Sequence, residues 1–174
     1  GLIGTNKPID NLSPTFVWII WWVGMGYASA LVGNLWMMLN PWKIIYEWAE
    51  RLLGADGGDD VLFRYPEHWN VWPAMLLFFA FAWTENVYPS KSEPARLALF
   101  ILLYSMITWT GMAVFGKHEW LRHGEAFSVL FGFFARFSPT EVRVEGSRLC
   151  RTCDLGCNDS GSGCVDCYGC FNIK

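Results

Sequence analysis

Six cysteines lie between Cys150 and Cys170 in a chain of 174 residues, and none lies elsewhere. Their spacing is Cys150-x2-Cys153-x3-Cys157-x6-Cys164-x2-Cys167-x2-Cys170, in a stretch rich in Gly, Asp and Ser. The pairs Cys150/Cys153 and Cys164/Cys167 are two CxxC knuckles. Each turns two thiolates toward one point, and a tetrahedral zinc ion takes two such pairs. Zinc is therefore the first cofactor expected. An iron–sulfur cluster is the alternative, because Cys164, Cys167 and Cys170 open like a bacterial ferredoxin run and an upstream cysteine can supply the fourth ligand. A disulfide-stapled tail is the third option, permitted by the even count and disfavoured in a reducing compartment. A segment so poor in apolar residues cannot build a core without some staple of this kind.

A second cluster, His118, Glu119, His123 and Glu125, has the residue types of a hydrolytic site. Its histidines are five apart, about 140° around a helix, where the HExxH metal motif needs four. Glu119 and His123 do share a helical face, and a break at Gly124 would let His123 and Glu125 share a metal or a proton. Glu119, His123 and Glu125 are thus the catalytic candidates, with His123 as general base or metal ligand and a carboxylate orienting it. The plain alternative is a charge cluster with Lys117, Trp120 and Arg122 at the end of a membrane span. Asp56, Asp59 and Asp60 beside Gly57 and Gly58 lack the ordered spacing of a calcium hand and read as a solvated acidic loop. Gly111-x4-Gly116-Lys117 imitates a phosphate loop, but His118 stands where Ser or Thr must bind magnesium.

The elements that position these groups follow from composition. The chain is 53% hydrophobic and 17% charged, with 30 aromatic residues of which 11 are Trp, and its net charge is −3. That is too little polar surface to cover a water-soluble domain, and too much hydrophobicity for disorder. Without a basic excess, nucleic acid is not an expected partner. The gaps between charges mark the segments: 32 residues between Asp10 and Lys43, 20 between Arg96 and Lys117, and 17 between Glu67 and Glu85. A bilayer core of about 30 Å takes roughly 20 residues of helix. The expected spans are therefore residues 15–39, 71–87 and 97–116, with 120–137 either crossing or re-entering. Trp18, Trp21, Trp22 and Trp36 are expected in the headgroup layers. Residues 41–53, capped by Asn40 and ended by Gly54, read as an amphipathic interfacial helix with Trp42, Ile45, Tyr46, Ala49 and Leu52 down. Whether 120–137 crosses or re-enters, the tail falls on the side richer in Lys and Arg, so the positive-inside rule makes it cytoplasmic.

The strings SPTFVWIIWWVGMGYASALVGNLWMMLNPW (13–42), WLRHGEAFSVLFGFFARFSPTEV (120–142) and CVDCYGCF (164–171) resemble membrane proteins of bacteria and haloarchaea that go by the name fenitrothion hydrolase. The resemblance implies a longer multi-pass membrane protein and, for some members, hydrolysis of an organophosphorus ester. It also implies that this chain, which starts at Gly1 and stops four residues after Cys170, is a fragment. The expectation is an all-α membrane protein. Residues 1–137 form three or four spans plus the interfacial helix, partnered by the lipid bilayer and by other helices. Residues 138–174 form a Cys-rich metal-binding tail. Its activity is left between a membrane-embedded metal-binding protein and a phosphotriester hydrolase.

Overall fold

A computed structural model describes residues 12–54, 62–89 and 93–140, and the backbone of residues 143–144 and 164–165. The described chain is helical apart from one two-residue antiparallel pairing, in which Val144 lies opposite Cys164. Helix α1 runs Leu12–Val32, with a π-helical turn over Phe16–Trp21. It is followed by the short α2 (Trp36–Leu39), α3 (Pro41–Leu52), α4 (Trp72–Asn86) and α5 (Pro94–Phe115). Residues 117–124, here α6, begin as one α-turn and continue as a π-turn over Trp120–Gly124; α7 is Ala126–Ala135.

Two helices, α1 with 21 residues and α5 with 22, are long and apolar enough to cross a bilayer. The first ends seven residues before the expected 39. Gly33 has φ +115°, a conformation that breaks the helix, and Asn34 Oδ1 accepts from Met37 N at 3.3 Å to start α2. Helix α4 has 15 residues, about 22 Å, and so falls short of the hydrocarbon thickness. The expected continuous segment 120–137 is interrupted at Glu125, whose backbone is extended (φ −85°, ψ 118°), leaving α7 ten residues and about 15 Å long. The bounds of α3 match expectation: Asn40 Oδ1 accepts from Trp42 N at 3.0 Å and Lys43 N at 3.3 Å, and Pro41 is its first residue.

Helix α7 is the centre of the bundle, packed on α1, α2 and α4. Phe127 and Phe131, one turn apart on α7, form a core with Trp36, closed by Trp21, Trp22, Phe81 and Tyr104. Trp21 meets Phe127 edge-on at 4.6 Å and Trp36 at 5.4 Å. Trp36 is therefore a core ring, with Trp21 and Trp22 partly buried against it. The break at Gly33 is what folds Trp36 back over α7. A second core gathers Met37, Tyr65, Met112, Trp120 and Leu121. There the Trp120 ring lies against two glycines: a Cβ on Gly111 would sit 2.2 Å from it, and one on Gly124 2.5 Å.

The outer surface is apolar. Phe79 and Trp83 of α4, Met106 of α5 and Tyr27 of α1 are each more than half exposed. Helix α3 keeps its two faces apart. Its charged face points inward, where Lys43 is buried and Lys117 Nζ pairs with Glu50 at 2.9 Å and Glu47 at 3.7 Å. Ile45, Trp48 and Leu52 face outward. Lys117, just past the end of α5, holds the α3 carboxylates to the bundle and leaves the apolar side of α3 on the outer surface.

Candidate functional site

Four consecutive residues at the break, Arg122, His123, Gly124 and Glu125, go to different surroundings. Arg122 is exposed. His123 Nδ1 lies 3.2 Å from Glu119 Oε2, an ion-pair distance without hydrogen-bond alignment, and its ring stacks 5.6 Å from that of Tyr65. Gly124 lies against Trp120. Glu125 turns into the core and is fully buried.

Glu125 caps α7. Its Oε1 accepts from Phe127 N at 3.1 Å and its Oε2 from Ser128 N at 2.6 Å, which satisfies two of the amides a helix start leaves unpaired and places negative charge at the positive end of the helix dipole. Four side chains add to this. Trp36 Nε1 donates to Oε2 at 3.3 Å and Asn40 Nδ2 at 3.4 Å; the Ser128 hydroxyl donates to Oε2 and the Tyr104 hydroxyl to Oε1. Two backbone amides, an indole and a side-chain amide donate to the carboxyl group, and two hydroxyls complete its shell. Among the described residues no cationic side chain is hydrogen-bonded or ion-paired to it.

Asn40 joins two helix starts. Its Oδ1 caps α3 while its Nδ2 reaches Glu125 and, at 3.3 Å, Ser128 Oγ. Beside it Trp42 Nε1 donates to Ser105 Oγ at 2.8 Å, and the Trp42 carbonyl accepts from Trp109 Nε1 at 3.2 Å. Ser105 also donates to the Ile101 carbonyl one turn back, so its hydroxyl bonds both within α5 and across to α3. Next to the carboxylate shell lies a cavity of about 190 Å³, walled by Trp18, Trp21, Trp42, Phe81, Tyr104 and Phe127.

The structure thus brings together Glu119 and His123 and carries Glu125 away to Trp36, Asn40, Tyr104 and Ser128. Of these four partners, Asn40 was visible in the sequence only as a cap and the others only as span residues. The signal available was their polar groups in apolar segments. Near the Glu119–His123 pair, burial and then Glu119 push the Tyr65 phenol above its ordinary value, and its hydroxyl donates to the Asn70 carbonyl at 2.7 Å. Among the described residues no three His, Cys, Asp or Glu side chains gather in a metal-binding group. Cys150, Cys153, Cys157, Cys167 and Cys170 lie outside the described residues, as do Asp56, Asp59 and Asp60; of Cys164 only the backbone is described. No family model matches the chain, and neither a curated protein nor a solved structure matches it.

Proposed function

We propose that this chain is the membrane-integral helical part of a multi-pass protein, with residues 138–174 as a cytoplasmic metal-binding tail. One observation carries the membrane assignment: the bundle is inverted relative to a water-soluble one. Its fully buried set includes Glu125 and Asn40, whereas Phe79, Met106 and Trp48 face outward. A helix apolar on all sides is at home either in a protein interior or in lipid, and these outer faces are covered by no other part of the described chain. Zinc on the cysteines, or an iron–sulfur cluster in its place, rests on spacing alone. The test is alkaline carbonate extraction of membranes that contain the whole chain. It is expected to stay in the pellet and leave only with detergent, and release into the carbonate supernatant removes the membrane reading. In sealed vesicles, proteolysis of the tail from the cytoplasmic side alone is expected; cleavage from the outside alone would place the cysteines in an oxidising compartment and favour disulfides.

The resemblance adds a second reading, hydrolysis of an organophosphorus ester, and the Glu119–His123 pair supports it. His123 is about one-quarter exposed, and a carboxylate at 3.2 Å can hold an imidazole as the base that takes a proton from an attacking water. Turnover of a phosphotriester by the intact protein, reduced about 100-fold or more in His123→Ala, is the expected result under this reading. Absence of turnover by the intact protein removes it.

A further inference from the structure

We infer that the aromatic cavity beside Glu125 is a binding site for a small lipophilic organic cation, of the quaternary ammonium or alkylamine class. Two independent features meet there. The first is the wall: Trp18, Trp21, Trp42, Phe81, Tyr104 and Phe127 surround about 190 Å³, and aromatic faces carry the negative end of a quadrupole that attracts a cation without needing hydrogen bonds from it. The second is a buried acidic side chain whose partners among the described residues include no basic group. Glu125 is fully buried behind Tyr104 and Phe127, and a cation in the adjoining apolar space would favour its carboxylate form and be drawn to it.

Tyr104 and Phe127 join the two. Both line the cavity, and both donate to Glu125, one through its phenol and the other through its backbone amide. A phenol that donates to a carboxylate has a more electron-rich ring, so Tyr104 transmits the buried charge to the cavity face. The mouth is on the apolar outer surface, since Ile101 and Ile107, 41% and 46% exposed, and the exposed Ala80 are also part of the lining. A ligand therefore has to be apolar enough to reach that surface and cationic enough to favour the interior. An anion is repelled by Glu125, and a neutral hydrocarbon gains only burial. The site goes beyond membrane embedding and stands whether or not the bundle spans a bilayer.

Benzyltrimethylammonium and its uncharged isostere neopentylbenzene test this. The purified full chain in neutral maltoside micelles is dialysed to equilibrium against each, with empty micelles as reference. The cation is expected to bind at least ~10-fold more tightly than the isostere. In Glu125→Gln that preference falls below ~3-fold, and in Ala80→Trp, which fills the mouth from an exposed position, binding of both is lost. Circular dichroism reports whether each variant keeps its helix content. Equal affinity for the two compounds in the unmodified chain overturns the site. So does undiminished binding to a folded Ala80→Trp protein, or an undiminished preference in a folded Glu125→Gln protein. If Glu125→Gln does not fold, the unmodified chain and Ala80→Trp decide.

Discussion

Asn40 does two jobs with one amide, and only an amide can do both. Its oxygen caps α3 and its nitrogen donates toward Glu125 and Ser128. Asn40→Ala removes a cap and leaves buried acceptors short of a donor, so a loss of about 2–4 kcal/mol is expected in thermal or denaturant unfolding in detergent. Asn40→Asp is the sharper test. It keeps the capping oxygen but points a second carboxylate oxygen at Glu125, where like charges at short range in a dry site repel. It is expected to destabilise more than Asn40→Ala, and Glu125→Gln in the same chain to recover part of the loss, a coupling of about 0.5–3 kcal/mol. Additive losses in the double variant would show that the two side chains do not interact. None of this was legible before the fold, because Asn40 and Glu125 are 85 residues apart. The local spacing instead suggested that Glu125 works with His123, two positions away.

At the scale of elements, what was legible is what is local. Asn40, Pro41 and Gly54 mark the bounds of α3 because caps and positive-φ glycines act within one turn. What the charged face of α3 meets is not local, since its partner Lys117 is 67 residues from Glu50. Gly111 is a similar case: within an apolar span it read as half of a failed phosphate loop, whereas its place in the fold is to let Trp120 lie flat on α5. Gly111→Ala puts a methyl 2.2 Å from that ring, so a loss of about 1–3 kcal/mol is expected. Adding Trp120→Phe should recover part of it by making the ring smaller. Lys43 allows a test through pH. Burial pushes its ammonium below the ordinary 10.5, against the pull of Glu47 and with the help of Lys117. Between that lowered value and 10.5 the unfolded chain binds more protons than the folded one, so stability rises with pH across this window. Lys43→Met is expected to abolish that rise. Tyr46 and Tyr65, whose phenols are pushed above the ordinary 10.0 chiefly by burial, act in the opposite sense, and stability should fall above pH 10 in either chain.

For the whole molecule, composition announced an apolar exterior, but only the fold shows which side chains form it. Trp21, Trp22 and Trp36, the residues that looked most like interface anchors, are drawn inward by α7, and Phe79, Trp83 and Met106 are left outside. The number of membrane-length helices also depends on the breaks at Gly33 and Glu125, each set by a single backbone conformation. What lies against the outer surface decides the sign of a simple substitution. Met106 is near the middle of α5 and 61% exposed, while Leu62 lies in the loop before α4 and is 68% exposed. If water surrounds both, an aspartate at either position is close to neutral and improves solubility. If lipid surrounds α5, Met106→Asp places a charge near the centre of a span, where insertion alone loses about 2.5–3.5 kcal/mol, and Leu62→Asp remains harmless. The expected outcome is therefore a large drop in membrane-extracted yield for Met106→Asp only, measured against Leu62→Asp at equal expression. A soluble, well-folded Met106→Asp chain would mean that α5 faces water, and the inverted surface would then need a protein partner in place of a bilayer.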